Sequence, residues 1–291
     1  MTASHELMVV TGASTGLGLA TARALAARGY HVLAGVRREA DASAIRAEGI
    51  SPVILDITRP SDVASLASQV AASEFPLRAL INNAGISVNA PVETLPLDEW
   101  RRLFDVNLFG QVAVTQALLP FLHASSGRIV NISSVGGKVA MATYGPYAGT
   151  KFALEAVSDA LRRELAPHGV DVVVVEPGAV RTEMGSRGAA TATGLAAKMS
   201  AEHQRRYGGL VEAVVAHSLR FTRAGMPAEK AGGIVADAAT IRRPRTRYTI
   251  GRDAGFLTRL VRVLPDRLLD RVTAATLRPY FPRASLRRSS T

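Results

Sequence analysis

The first 26 residues narrow the fold more than any other stretch. Leu7-Met8-Val9-Val10-Thr11 is a short apolar run, which suits a strand buried on both faces of a parallel sheet. Gly12-Ala13-Ser14-Thr15-Gly16-Leu17-Gly18 follows at once. Leu19, Ala20, Ala22, Ala24, Leu25 and Ala26 then make a helix that ends at Gly29. Strand, glycine turn and helix in that order form a phosphate cradle. The glycines let backbone approach a pyrophosphate, and the helix N-terminus supplies oriented N–H groups. The spacing is G-x-x-x-G-x-G rather than G-x-G-x-x-G.

The next strand, His31–Gly35, leads into Val36-Arg37-Arg38. Arg37 stands 19 residues past Gly18, near where an acid would grip a ribose 2′-hydroxyl. A guanidinium pairs well with a phosphate and poorly with a bare diol. The pair Arg37 and Arg38 therefore favours NADP(H) over NAD(H).

A second feature carries chemistry. Tyr147 and Lys151 are four residues apart at the start of a long helix, after the pair Ser133-Ser134. Residues i and i+4 share a helix face, so phenol and ammonium address one small volume. A nearby cation favours phenolate, so Lys151 is expected to lower the pKa of Tyr147 and make it an acid/base group.

Taken in order, Thr11-Gly12-x-x-x-Gly16-x-Gly18, Asp56, Asn82-Asn83-Ala84-Gly85, Asn107, Ser134, Tyr147-x-x-x-Lys151 and Pro177-Gly178 resemble the short-chain dehydrogenase/reductase family across about residues 7–182. The resemblance implies an α/β, Rossmann-type, doubly wound seven-stranded parallel sheet in a single domain, with a nicotinamide cofactor. It carries over the catalytic set Asn107, Ser134, Tyr147 and Lys151. Ser134 lies thirteen residues before the tyrosine, the family's usual interval. Tyr144 is a decoy, because no lysine follows four residues on. By the same resemblance the cofactor contacts are Thr11, Gly12, Ser14, Thr15, Gly16, Leu17 and Gly18, with Arg37 and Arg38. Asp56 and Ile57 belong at the adenine, and Asn83, Ala84 and Gly85 under the adenosine ribose. Tyr147, Lys151, Pro177, Gly178, Val180 and Thr182 complete the set. Thr15 stands where some NADP-binding members carry a basic residue. Ser134-Val135-Gly136-Gly137, Lys151-Phe152-Ala153-Leu154-Glu155-Ala156 and Glu176-Pro177-Gly178-Ala179-Val180 resemble the branch with hydroxysteroid and retinol dehydrogenases.

The resemblance implies hydride transfer between nicotinamide and an apolar alcohol or ketone. Tyr147 is then the acid or base, Lys151 holds the nicotinamide ribose, and Ser134 donates to the substrate oxygen. Asn107 anchors a water toward solvent, with helix bending as its competing role. Ser134, Met141, Tyr144 and Tyr147 line the substrate site. A non-catalytic NADP(H)-sensing or scaffold protein is the alternative, against which the intact catalytic set argues.

Strands are expected at 7–11, 31–35, 52–55, 79–81, 128–132, 171–175 and 247–250. The division is a catalytic domain over 1–251, with a lid insertion at about 183–226, and a basic amphipathic extension over 252–291. Met199, His203, Tyr207, Leu210, Val214 and Phe221 are the apolar and aromatic positions of that lid. Without cysteine, disulfides and thiolate sites are excluded. His5, His31, His123, His168, His203 and His217 show no ligand spacing, so no metal is expected. No apolar run reaches ~18 residues and the first strand starts at Leu7, which points to a cytoplasmic protein.

The formal net charge of +11 is unevenly placed. Thirteen arginines face three aspartates in residues 242–291, and the remainder is nearly balanced. Nucleic acid is therefore not an expected partner of the catalytic body. In 254–277, Phe256, Leu257, Leu260, Val261, Leu264, Leu268, Leu269 and Val272 interleave with Arg259, Arg262, Arg267 and Arg271, and Pro265 divides the stretch into two amphipathic helices. They either pack on the substrate side or touch an anionic membrane. Pro282 to Thr291 reads as a frayed end. Family resemblance further implies a homodimer or homotetramer, with Val112, Leu119, Leu154 and Leu161 available for core or interface.

Overall fold

The computed structural model describes residues 5–261 and 263–282. Arg262 and residues 283–291, parts of the expected amphipathic and frayed tail, lie outside the described residues. Nine strands run as β1 (Leu7–Val10), β2 (His31–Val36), β3 (Ile50–Ile54), β4 (Leu77–Asn82), β5 (Arg128–Ile132), β6 (Asp171–Pro177), β7 (Val180–Arg181), β8 (Met226–Pro227) and β9 (Arg247–Ile250). Seven form one parallel sheet in the order β3-β2-β1-β4-β5-β6-β9. These seven are the expected ones, with ends displaced by at most two residues. The other two pair with each other, Val180 opposite Met226.

The helices are α1 (Gly16–Ala26), α2 (Glu39–Ile45), α3 (Pro60–Ala71), α4 (Leu97–Phe104), α5 (Gly110–Ser125), α6 (Gly145–Leu165), α7 (Glu183–Ala197), α8 (Ala201–Ala224), α9 (Ala228–Thr240), α10 (Arg252–Leu260) and α11 (Asp266–Leu277). Successive strand residues point to opposite faces of the sheet, and β1 shows the consequence. Met8 and Val10 join Leu25, Val32, Val173, Val175 and Val235 in the core under α1 and α9. Leu7 and Val9 join Leu80, Leu118, Leu122, Ile129 and Val172 in the core under α3, α5 and α6. Each such fully buried side chain contributes ~1.5–3 kcal/mol. The sheet's continuous apolar strands are thus explained by helices on both faces.

The strand order reverses between β1 and β4. In an open α/β sheet this switch point opens a crevice beyond the carboxyl ends of the strands. Gly12–Gly18 follows β1 and Asn83–Gly85 follows β4, so both loops meet at that crevice. Between α4 and α5 the helix passes through one π-turn, Asp105–Phe109, which contains Asn107. Such turns concentrate at functional sites.

Candidate active site

The loop after β1 is held from beneath. Thr11 is fully buried, and its hydroxyl accepts from the backbone N–H groups of Asn83 and Ala84, both at 3.0 Å. It is therefore a brace under the loop. Asn83 Nδ2 donates to the carbonyls of Thr11 (2.9 Å) and Gly12 (3.0 Å). The Asn83 side chain pins the loop, so any ribose contact is left to its backbone. Gly12 has φ +65°, and a Cβ there would lie 2.7 Å from Ala84 Cα. A Cβ on Gly18 would lie 2.4 Å from both Asn83 Nδ2 and Gly12 O. Only glycine fits either position, and the result is a backbone cradle at the start of α1, which suits a pyrophosphate. Ser14, Thr15, Gly16 and Leu17 line its partly buried rim, and Thr182 meets Gly16 there, 3.1 Å from where a Cβ would stand.

The two arginines after β2 differ. Arg38 donates twice to Asp41, 2.8 Å each, and that pair holds the Asp41 carboxyl below the usual range. Arg37 is exposed and makes no hydrogen bond or ion pair among the described residues. Its guanidinium is the one free for a phosphate. Asp41, unremarked in the sequence, was detectable as an acid three residues past Arg38. Burial pushes the Asp56 carboxyl up, but the two bonds from Thr58 and the nearby Arg37 and Arg59 outweigh it and hold it low. Ile57 is buried, and the start of α5 packs on it at Gly110.

The catalytic candidates converge at the other end of the crevice. A Cβ on Gly136 would lie 3.3 Å from Tyr147 Cε1 and 3.4 Å from Ser134 Oγ. Ser134 Oγ accepts from the Gly136 N–H at 3.0 Å, which fixes its orientation and leaves its proton to donate. Lys151 is buried, donates to the Ile132 carbonyl at 2.8 Å, and lies 5.9 Å from the Tyr147 ring centroid. Asn107 Oδ1 accepts from Ile86 N (2.8 Å), and its Nδ2 donates to Ile86 O (2.9 Å) and Thr150 Oγ1 (3.1 Å). Thr150 in turn donates to the Tyr147 carbonyl at 2.7 Å. The side chain of Asn107 thus ties the π-turn to the loop after β4 and to α6. Thr150, the hydroxyl just before Lys151, is a positioning residue not assigned from sequence.

One expectation is reversed. Burial pushes the Tyr147 phenol up to about 12, with Ser134 offsetting part of the rise. Burial also pushes the Lys151 ammonium down to about 8, against the pull of Glu155. Burial is the largest cause of the tyrosine's rise, and the Lys151 ammonium is directed at Ile132 O. Of the other site candidates, Tyr144 is largely buried and its hydroxyl is also raised by burial, with Ser218 and Asn89 offsetting part. Met141 is partly buried beside it in the same loop. Pro177 and Gly178 end β6, and the Gly178 N–H donates to Ile250 O at 2.8 Å. Val180 packs against the first core, so its side chain supports the strand stub β7.

Above the crevice, α7 begins beside Gly16 and crosses to Ser87, where a Cβ on Gly188 would lie 3.5 Å from Ser87 Oγ. Its Leu195 packs on the cluster of Val88, Ala90, Leu95 and Leu103. Glu93 accepts from Arg206 (2.7 Å) and Tyr207 on α8, tying that helix to the same rim. Among the described residues no group of metal-ligating side chains gathers, and no helix is long and apolar enough to cross a membrane.

A sequence profile of the short chain dehydrogenases matches residues 6–192. Mouse retinol dehydrogenase 5 is 37% identical over 284 residues, spanning 93% of this chain and 88% of that protein. An NADPH-dependent 3-dehydrocapnine reductase of Ornithobacterium rhinotracheale is 32% identical, spanning 91% of this chain and 94% of its own. Among solved structures, a short-chain dehydrogenase from Streptomyces avermitilis superposes with a TM-score of 0.73 at 27% identity, over 99% of both chains. One from Burkholderia cenocepacia, in complex with NADP, gives 0.71 at 27% identity over 91% of this chain and 96% of that one. The chain therefore belongs to the short-chain dehydrogenase/reductase family of oxidoreductases, and the seven-stranded sheet with its glycine cradle is that family's nucleotide-binding fold.

Proposed function

We propose that the protein is an NADP(H)-dependent oxidoreductase that interconverts an apolar alcohol and ketone. The observation that carries this reading is the convergence of Tyr147, Ser134 and Lys151 on one small volume at the end of the crevice that begins in the glycine cradle. The residues present fit the cofactor: Gly12, Gly16 and Gly18 clear a path for pyrophosphate, Arg37 offers an unpaired guanidinium, and Lys151 lies under Gly85. When bound, the nicotinamide supplies or accepts the hydride. Everything else falls to side chains. Ser134 donates to the substrate oxygen as charge develops on it. Tyr147 moves the proton at its hydroxyl, and with the phenol raised to about 12 it is protonated at neutral pH. That state suits the general acid of carbonyl reduction. Lys151 holds the ribose and the electrostatics of the phenol. Helices α7 and α8 form the substrate lid, which excludes water and selects the substrate. Retinol dehydrogenase 5 and the dehydrocapnine reductase point to a lipid-like or retinoid-like carbonyl. The test is a panel of apolar ketones and alcohols with NADPH and NADP+, followed at the nicotinamide absorbance. Tyr147→Phe should lower turnover ~10²–10⁴-fold while NADPH binding persists. Wild-type binding of NADPH without turnover of any panel member would favour the sensor reading.

A specific observation supports a second property. In α10, Ala254 and Thr258 are buried while Phe256 is 67% exposed and Arg259 is exposed, and beyond it Val263 is 75% exposed with Arg267 and Leu268 also exposed. The tail also packs on the protein, because Tyr280, after α11, meets His217 of α8 edge-on, ring centroids 5.3 Å apart. Both expected roles of the tail are thus compatible: packing on one face, and contact with anionic lipid on the other. Vesicles containing phosphatidylserine should bind the protein at low salt and release it as the Debye length falls from ~10 Å to ~3 Å. Absence of binding at low salt would leave the packing role alone. For assembly, Leu154 proves to be core, whereas the large exposed Phe109, just before α5, and Phe152, on α6, stand near the helices that carry Val112, Leu119 and Leu161. We read this face as a homo-oligomer interface, and light scattering of the wild type against Phe109→Ser/Phe152→Ser decides it.

A further inference from the structure

Tyr147, Lys151, Glu155 and Asp159 follow one another at intervals of four along α6 and therefore share one stripe of the helix. The proposed function uses the first two. Glu155 is 7% exposed, and its Oε2 pairs with Lys138 Nζ at 2.6 Å and Arg247 Nη2 at 3.1 Å. Glu176 on β6 is 4% exposed and pairs with the same two cations, 3.4 Å to Lys138 Nζ and 3.3 Å to Arg247 Nε. Arg247 also reaches Asp159 at 2.9 Å, which Arg162 meets at 3.0 Å. Lys138 follows the short turn that starts at Ser134, and Arg247 opens β9. A buried ionic cluster thus ties the serine loop, the last two strands of the sheet and α6 together one helical turn beyond Lys151. Its packing is close. A Cβ on Gly137 would lie 2.7 Å from Ser133 Oγ and 3.1 Å from both Glu155 Cγ and Lys151 O. Glu155 Oε1 and Ser133 Oγ are buried there without hydrogen-bond partners, and Glu176 Oε1 has only its two long ion pairs.

We infer that Glu155 is a positioning residue for the Tyr147–Lys151 pair: its carboxylate keeps the Lys151 ammonium charged inside the protein, and its ion pair with Lys138 fixes the loop that presents Ser134. The charged or titratable groups around Lys151 are Tyr147 and Tyr144 toward the substrate, Glu155 one turn on, and Lys138, Glu176 and Arg247 behind it. Glu155 is the carboxylate that acts on Lys151 directly, whereas Glu176 is shared between the two cations, and burial raises its own carboxyl. A buried ammonium loses charge readily unless a carboxylate offsets its desolvation. The same network makes two opposite predictions. Removing the Glu155 charge should make Lys151 a weaker base, and removing the Lys138 charge should make it a stronger one.

The inference rests on the proposed catalytic role of Lys151, but its test does not need turnover. The chain has four lysines, Lys138, Lys151, Lys198 and Lys230. Their Cε signals can be titrated by NMR in protein labelled with 13C-lysine, with Lys151 assigned from Lys151→Arg. In Glu155→Gln the Lys151 midpoint should fall by about one pH unit from its wild-type value, and in Lys138→Met it should rise. Lys198 and Lys230 should not move. Glu155→Asp, which keeps the charge at shorter reach, should recover part of the shift. If ketone reduction is established, the pH profile of kcat should move in Glu155→Gln in the same direction as the lysine. A lysine midpoint that stays in place in both Glu155→Gln and Lys138→Met, with only the thermal midpoint lowered, would make the cluster purely structural and overturn the inference. Should Glu155→Gln fail to fold, the upward shift in Lys138→Met decides alone. A chain with no turnover but with both shifts would remove the enzymatic reading and leave the coupling standing.

Discussion

The glycine loop after β1 and the two helices after β7 border the same crevice, yet they are built on different physical terms. In the loop the glycines sit against close neighbours and its base is hydrogen-bonded. Gly12 is held at positive φ against Ala84, Gly18 against Asn83, and Thr11 and Asn83 contribute four hydrogen bonds at 2.9–3.0 Å. In α7 and α8, by contrast, few residues are buried: Gly188, Ala189 and Ala192 in the first, Val211, Ala213 and Val214 in the second. Their attachments to the rim are ion pairs such as Glu93 with Arg206, partly exposed on both sides. Exposed pairs of this kind contribute ~0–1 kcal/mol. A rigid surface suits a cofactor of constant shape. A loosely held pair of helices suits substrate entry and selection, since mobile elements are drawn from the least stable parts of a fold.

A matched pair of glycine substitutions tests this contrast most sharply. Gly12→Ala places a methyl 2.7 Å from backbone and puts an L residue at φ +65°. Strain of ~1–3 kcal/mol and displacement of the Asn83 turn should follow, with NADPH binding weakened at least ~10-fold by fluorescence titration. Gly194→Ala in α7 meets nothing within 4 Å. It should keep NADPH affinity and stabilise the helix by up to ~0.5–1 kcal/mol, seen as a small rise in thermal midpoint. Equal tolerance at both sites would remove the distinction between the two borders.

The cofactor end holds a smaller effect. Arg37→Ala removes the free guanidinium after β2. A charge-assisted bond of ~1.5–3 kcal/mol predicts a loss of ~10-fold or more in NADP(H) affinity with little change for NAD(H). Comparable losses for both cofactors would show that Arg37 does not meet a 2′-phosphate.

The same contrast governs what could be read without coordinates. All seven sheet strands were legible, because parallel strands covered on both faces leave continuous apolar runs such as Val172–Val175. The proximity of Tyr147 and Lys151 was legible because i, i+4 spacing survives any packing. The pKa balance was not, because it depends on burial, and spacing alone predicted a lowered tyrosine where desolvation raises it. Thr11 and Asn83 hydrogen-bond within the protein, a role that a motif does not reveal. The insertion between Glu183 and Met226 forms the helices α7 and α8, and the pairing of Val180 with Met226 that closes it was hidden in two-residue strands. The cluster around Glu155 draws its members from four distant parts of the chain and leaves no local pattern.

The smallest expected effect concerns the pairing of Arg38 with Asp41. Sequence treats Arg37 and Arg38 as equals, while the structure gives Arg38 a bidentate partner within its own helix start. That partner offsets most of the charge Arg38 could offer a phosphate, and it must be given up or shared before Arg38 can turn to a ligand. The Arg38 side chain is 74% exposed, so the pair itself adds little to stability. Arg38→Ala should therefore weaken NADP(H) by only about two- to three-fold, well below the effect of Arg37→Ala. Asp41→Asn should act in the other direction, because it frees the guanidinium and removes a negative charge near the phosphate position, giving a few-fold tighter NADP(H) at low ionic strength. The gain should fade as salt rises and should be absent for NAD(H). Titrating both cofactors into Asp41→Asn at two salt concentrations measures it, and a variant that loses NADP(H) affinity would show that Asp41 orients Arg38 for the phosphate rather than competing with it.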